Sequence, residues 1–468
     1  MRFRPMTILA FLVVFCGKAA AAGDAPAGAG KPAPPKRLFI VAPDHLRPAV
    51  ADYVKHKQTI MPTELVSLEE VLKSTDGVDD PERLKRFLYV AWKEHDLGYV
   101  LLVGDVDVLP VRYMVLDRAT PAAFDYAFYP SDLYYSDLAR SDGKFDDWNA
   151  SREGFHGQYF GEVRGEKNKN DPINFDQINY LPDVAVGRWP VSTPQEARIV
   201  ADKSIAYEDA VRVKTHPGMG RVAIFHPGGW MDARGRLGHI ADAFPADWHT
   251  SRYFFGGPAS DPGSLLPTEK SLEAVLDEGA GLVIHAGHGS EKTWEGCFTM
   301  PVMNRLKNRD RLPVMVSAGC STAYFAPLAP YDGYVDVNGK EHKGTDAGEL
   351  FTAPPPAPSP YQTGKHNPTG LGEQLLKKGP DGAVVYIGCC TGSQPCALTL
   401  VEGFARAAGQ SPARNVGDCW AGAVSYYFEH ERLSELKPNA DWYPPSIFFQ
   451  GMKFMVFGDP TLPLALPR

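Results

Sequence analysis

The sequence predicts an α/β fold of mainly parallel sheets, laid down in two successive cycles, on three observations. Short apolar runs at Arg37 to Ala42, Gly98 to Val103, Arg221 to His226, Gly281 to His285 and Leu312 to Ser317 have the near-continuous hydrophobicity of strands buried on both faces. Helical stretches alternate with them, as crossover helices do. The composition, 44% hydrophobic and 22% charged over 468 residues, supports a sizeable core rather than a disordered chain. The 45 Gly and 41 Pro follow no repeat period, which excludes collagen, solenoids and coiled coils. A formal charge of −8 without a dense basic run excludes nucleic acid as the natural partner.

Residues 1–22 read as a signal peptide of bacterial type. Arg2 and Arg4 precede the apolar run Thr7 to Phe15 and the small residues Ala19 to Ala22, the order of a secretory leader. The run is too short to span a bilayer, so the mature chain is expected to carry no transmembrane segment and to be exported, secreted or periplasmic. Phe15 before Cys16 is bulkier than a lipid-attachment site accepts, which argues against a lipoprotein. Loss of Arg2, Arg4 and Lys18 with the leader takes the net charge from −8 to −11, favouring solubility outside the cell. Residues 23–36 are Ala, Gly and Pro and read as a linker. Their brevity leaves little room for an inhibitory N-terminal domain.

The first cycle, residues 37–215, opens with the strand Arg37 to Ala42, a helical stretch Pro48 to His56, and the strand Gly98 to Val103 ending at Gly104-Asp105. A polar, Asp-rich loop at 131–182 follows, then the strand Asp183 to Arg188. Thr193-Pro194-Gln195-Glu196 is a capping box with proline at the first helical position, starting a helix to about Tyr207. The second cycle, residues 216–468, has the strand Arg221 to His226 and a helix closed by Gly279. The strands Gly281 to His285 and Leu312 to Ser317 come next, with a helix at Pro301 to Lys307 between them. Then follow a helix at Leu371 to Lys378, the strand Ala383 to Ile387, a late helix, and the close at Phe457-Gly458-Asp459-Pro460. Residues 326–366 hold few aliphatics and a Pro354-Pro355-Pro356 run. They read as a long exposed insertion, placed to cover a cleft as a lid.

His288 and Cys320 each sit just past a buried strand. Ligands of parallel sheets bind outside the carboxyl ends of strands, so neighbouring strands would bring both side chains to one crevice. A thiolate with a histidine to move its proton is the equipment of a cysteine peptidase. Gly289 leaves the backbone open beside the imidazole, and its N–H can point at a carbonyl oxygen. The rival zinc set, His285, His288 and Cys297, fits no common zinc spacing.

In these residues the chain resembles the gingipain-like cysteine peptidases, of the clan that includes caspases and legumains. His288-Gly289-Ser290-Glu291 with Trp294 is similar to the gingipain histidine motif. Leu101 to Asp105 with Asp107-Val108-Leu109-Pro110, Val186-Gly187-Arg188, Tyr207-Glu208, Gly382 to Gly388 and Phe457 to Leu462 follow in family order. The resemblance implies two caspase-like α/β subdomains, the second catalytic. It makes Cys320 the nucleophile, His288 the general acid/base, and the N–H groups of Gly289 and Cys320 the oxyanion hole, with Glu291 and Trp294 as supporting motif residues. Where gingipains place a glutamate that orients the histidine, this chain has Phe225-His226-Pro227-Gly228, so the dyad works alone or another group orients His288. Asp232 and Asp242 lie in the stretch that supplies the acidic residue of the gingipain specificity pocket.

Within the acidic loop, Asp147, Asn149, Ser151 and Glu153 alternate, with Glu162 further on. Oxygen ligands two residues apart can wrap a hard cation, which predicts structural calcium without an EF-hand's central glycine. No organic cofactor is expected. Of seven cysteines Cys16 leaves with the leader; with Cys320 a free thiol, at most two disulfides can form, and burial as small residues is the simpler role for the rest. The reading is therefore an exported endopeptidase acting on peptide or protein through a Cys-His dyad. The alternatives are a non-catalytic calcium-binding scaffold of the same fold and a Cys-dependent transpeptidase.

Overall fold

The computed structural model describes residues 35–115, 128–148, 178–352, 355–410, 415–437 and 443–466. Among them, eleven strands form one sheet. In chain order these are β1 (Arg37–Ala42), β2 (Thr63–Ser67), β3 (Leu97–Val103), β4 (Ala185–Trp189), β5 (Arg221–Gly228), β6 (His249–Phe254), β7 (Ser264–Leu265), β8 (Leu282–Gly287), β9 (Val314–Ser317), β10 (Val385–Cys389) and β11 (Phe454–Phe457). Their spatial order is β2-β1-β3-β4-β11-β10-β9-β8-β5-β6-β7. All neighbours run parallel except β10 and β11. The C-terminal strand thus joins two parallel half-sheets that point in opposite directions. The fold is the mainly parallel α/β arrangement the sequence predicts.

Burial explains why these segments are strands. β3 is buried at every residue, and β8 through Ala286, as a sheet covered on both faces requires. β2, β6 and β11 escaped the sequence reading: β2 and β6 alternate or are polar at one end, and β11 is only four residues long. The capping box forms, with Thr193 Oγ1 accepting from Glu196 N at 3.2 Å and Glu196 Oε2 from Thr193 N at 3.0 Å. Its helix runs to Arg212, beyond the expected end. Gly279, at φ 91°, closes the helix Glu269–Glu278.

Between the half-sheets, the family-like motifs are ion-paired. Arg188 is fully buried and grips Asp132 through two 2.7 Å bonds. Lys57 lies 2.9 Å from Glu208 and 3.4 Å from Asp459. Lys377 donates to Asp105 at 2.8 Å and Glu373 at 2.9 Å. A β-carbon on Gly187 would collide with Gly458 O, so β4 and β11 approach as closely as they do because Gly187 has none.

Two expectations fail. The helix at Pro301 to Lys307 is a single turn, Met300–Met303. The crossover from β8 to β9 is instead occupied by a three-stranded ribbon, Gly289–Ser290, Thr293–Trp294 and Phe298–Thr299, anchored by buried Trp294 and Phe298. The described residues of 326–366 are only in part exposed. Ala326, Ala329, Tyr334 and Gln362 are inaccessible to solvent, and Tyr334–Val335 pairs with Glu341–His342 in a hairpin. The segment packs on the first half of the chain through Phe128 N to Ala329 O (2.8 Å), Val111 N to Pro360 O (3.0 Å), Gln362 N to Val106 O (3.1 Å) and Tyr361 Oη to Asp80 (3.0 Å). Aromatic and amide side chains supply the anchoring that a search for aliphatic residues overlooks.

Candidate active site

β10, β9 and β8 are adjacent and parallel, so their carboxyl ends deliver three loops to one edge of the sheet. His285 of β8 pairs with Ser317 of β9, which pairs with Gly388 of β10. His288 and Cys320 each lie three residues beyond that row. The two loops touch: a β-carbon on Gly289 would lie 3.0 Å from Cys320 O and 3.3 Å from Gly319 Cα, and one on Gly319 would lie 3.2 Å from Gly287 O. Glycine on both sides permits this approach. Glu295 N donates to His288 O at 3.0 Å, one position outside the Gly289–Trp294 pair. That pair is therefore of the non-hydrogen-bonded kind, which directs the Gly289 N–H off the ribbon.

Cys320 is half-buried. Its thiol donates to Ser393 O at 3.5 Å and accepts from Ser393 N at 3.3 Å. Ser321, the next residue, is held at φ 53°, a left-handed conformation that costs a non-glycine residue about 1–3 kcal/mol and that clusters at functional sites. The His288 ring meets the Trp230 indole edge-on, centroids 6.0 Å apart at 63°. Among the described residues no side chain hydrogen-bonds its imidazole.

A second pair of histidines braces these loops from below. His285 is fully buried, bonds Ser317 Oγ through Nδ1 at 2.9 Å, and stacks on Trp294 at 4.5 Å and 3°. Burial pushes its pKa down to about 3, so it is neutral. Trp294 in turn donates Nε1–H to Tyr386 Oη at 2.9 Å; this motif residue is a packing platform for the strand end. His226, at the position where a carboxylate was sought, bonds Ala286 O through Nδ1 at 2.7 Å and accepts from Ala233 N through Nε2 at 3.1 Å. Accepting at Nε2 requires the neutral Nδ1–H form, and burial holds its pKa down. His226 thus ties the end of β8 to the loop carrying Trp230. The sequence signal for this role was a histidine just inside the end of a buried strand; for Ser393, it was the turn-forming run Thr391-Gly392-Ser393 past β10.

The remaining sequence candidates are dispersed. Glu291 faces Lys292 at 3.2 Å and reaches no group of the site. Asp232 is paired with Arg234 at 2.6 Å, which holds its pKa down at about 2, and Asp242 is exposed at a helix end. Among the described residues, neither these nor any of 326–366 lines the cleft beside Cys320, so the lid expectation finds no support there. Of the calcium set only Asp147 is described; Asn149, Ser151, Glu153 and Glu162 lie outside the described residues. Among the described residues no group of three or more His, Cys, Asp or Glu is placed to hold a metal, so the zinc alternative finds no site. Cys297, Cys389 and Cys390 are fully buried, and burial lifts the first two to about 12, which leaves them inert.

The sequence profile of peptidase family C25 matches residues 31–465. The chain belongs to this family. It is a peptidase of cysteine type, and its substrates are proteins or peptides. No curated protein matches significantly. Solved structures do: the Arg-specific cysteine proteinase gingipain R (RGPB), at 17% identity and TM-score 0.57 over 92% of this chain and 78% of that one. The complex of the pro- and mature domains of RgpB from Porphyromonas gingivalis matches at 16% identity and TM-score 0.56, over 92% and 79%. A structure described only as a protease matches at 14% and 0.58, over 92% and 78%. At such identities the likeness shows the shared caspase-like fold. Among the described residues no helix is long and apolar enough to cross a membrane.

Proposed function

We propose that this C25 peptidase is an exported endopeptidase in which Cys320 and His288 act as a dyad. The observation that carries the reading is the contact between the two loops, with Gly289 against Cys320 O, at the carboxyl edge of adjacent parallel strands. His288 takes the Cys320 proton, and the thiolate attacks the scissile carbonyl. The N–H groups of Gly289 and Cys320 stabilise the oxyanion. His288 returns the proton to the leaving amine, and then draws a proton from water as it hydrolyses the thioester. Trp230, not a carboxylate, bounds the imidazole. Export rests on the leader-like residues 1–22. Structural calcium at Asp147, Asn149, Ser151, Glu153 and Glu162 rests on their alternation in sequence, and no catalytic step passes through it.

Cys320→Ala and His288→Ala should each lower peptide turnover by several orders of magnitude, with unchanged circular dichroism. The competing scaffold reading draws on the absence, among the described residues, of a carboxylate at His288. It requires that the parent protein hydrolyse no peptide, or that Cys320→Ala leave hydrolysis untouched.

A further inference from the structure

The cleft beside Cys320 encloses about 440 Å³ including its open mouth. Its walls are Trp230, Met231, Ala233, Ala286, Pro395 and Leu398. Among the described residues lining it there is no aspartate, glutamate, lysine or arginine. Its polar side chains besides the Cys320 thiol are uncharged: His226 is fixed and neutral between Ala286 O and Ala233 N, Ser393 Oγ accepts from Gln450 Nε2 at 3.3 Å, and Gln394 carries a neutral amide. Asp232, the nearest carboxylate in sequence, is spent on Arg234. Above this apolar lining Trp230 is 84% exposed and Met231 44%. A tryptophan left this open is one of the largest apolar surfaces a side chain can offer, and it stands beside both His288 and the nucleophile.

We propose that this cleft is the specificity pocket for the residue whose carbonyl Cys320 attacks, and that it selects an uncharged apolar side chain, aliphatic or aromatic, with Trp230 and Met231 closing over it. The inference rests on the Cys320 peptidase reading. An apolar side chain covers the walls and the indole face. An arginine or lysine would bring a charge to a surface with no counter-charge, which is costly when desolvated, and an acidic residue would meet the same lack.

Fluorogenic peptides identical except at that residue (Leu, Phe, Arg, Lys, Asp) test this on the mature chain. The expected kcat/KM for Leu or Phe exceeds that for Arg, Lys or Asp by at least about 100-fold. Trp230→Ala removes the indole from the pocket wall and from His288 alike, so it should lower kcat/KM about 10-fold more for the Phe peptide than for a matched Ala peptide. Met231→Asp, at a partly exposed position that tolerates a charge, should raise the Arg-to-Leu ratio about 10-fold. Cys320-dependent cleavage of Arg or Lys peptides as fast as Leu or Phe peptides would overturn the pocket assignment while leaving the dyad standing. If no peptide of any class is cleaved, the dyad reading falls and the pocket with it.

Discussion

Gly289→Ala is the smallest change that separates the His288 and Cys320 loops. The new β-carbon would sit 2.5 Å from Thr322 Cγ2 and 3.0 Å from Cys320 O, against a normal carbon contact of about 3.5–4.0 Å. Thr322 cannot turn its methyl aside, because it is fully buried with its hydroxyl tied to Ser317 Oγ at 3.1 Å and Gly319 O at 3.3 Å. The loops must therefore part by about 1 Å. Overpacking of this kind costs about 1–3 kcal/mol, a modest drop in melting temperature. A 1 Å misplacement of reacting groups can cost about 100-fold in rate. The expected result is a loss of about 100-fold in kcat/KM on a fluorogenic peptide, with a fold that still melts cooperatively. Thr322→Ser removes the obstructing methyl and keeps the hydroxyl, so in the double variant it should restore about 10-fold; the Cys320 O contact prevents full recovery. Parental activity in Gly289→Ala, or an identical loss with and without Thr322→Ser, would refute the reasoning.

His285 carries a pH dependence of stability. It stays neutral in the folded protein down to about pH 3, whereas the unfolded chain takes up this proton near 6.5, so stability falls as pH drops from 6.5 toward 3, by at most about 5 kcal/mol. His285→Phe keeps the stack on Trp294, and urea titrations between pH 7 and 4 should show a shallower slope; an unchanged slope contradicts the assignment. Tyr334→Ala should cost about 3–5 kcal/mol, measured by chemical denaturation, since Tyr334 is fully buried within its segment; a cost below about 1 kcal/mol would mean the segment is a dispensable cover. Millimolar calcium should raise the melting temperature by binding only the folded state, and Asp147→Ala with Glu153→Ala should remove the shift; calcium without effect would discard that loop as a site.

The buried parallel strands were legible because a strand covered on both faces is a continuous apolar run, as in β1, β3, β8 and β9. Cys320 and His288 stood out as candidates because two of those runs lead into His-Gly and Gly-Cys. What escaped depends on partners distant in sequence. β11 is four residues of apolar chain whose place between the half-sheets is fixed by its antiparallel pairing with β10, from Tyr386↔Phe457 to Cys389↔Phe454, and by Phe457↔Arg188. Residues 326–366 looked loose because their anchors are Tyr334, Tyr361 and Gln362 rather than leucine or valine. At the site, His226 read as a gap where a carboxylate was sought, since only its bonds to Ala286 O and Ala233 N reveal a brace. Asp232 read as a pocket carboxylate because sequence does not show that Arg234 engages it.

The central claim is that Cys320 is a thiol nucleophile served by His288. A peptide with an electrophilic chloromethyl ketone in place of the scissile bond, followed by mass spectrometry of the labelled protein, tests it directly. The account predicts one adduct, on Cys320, formed at a rate that falls by orders of magnitude in His288→Ala. An adduct on another cysteine, or equal labelling of Cys320 in His288→Ala, would contradict it.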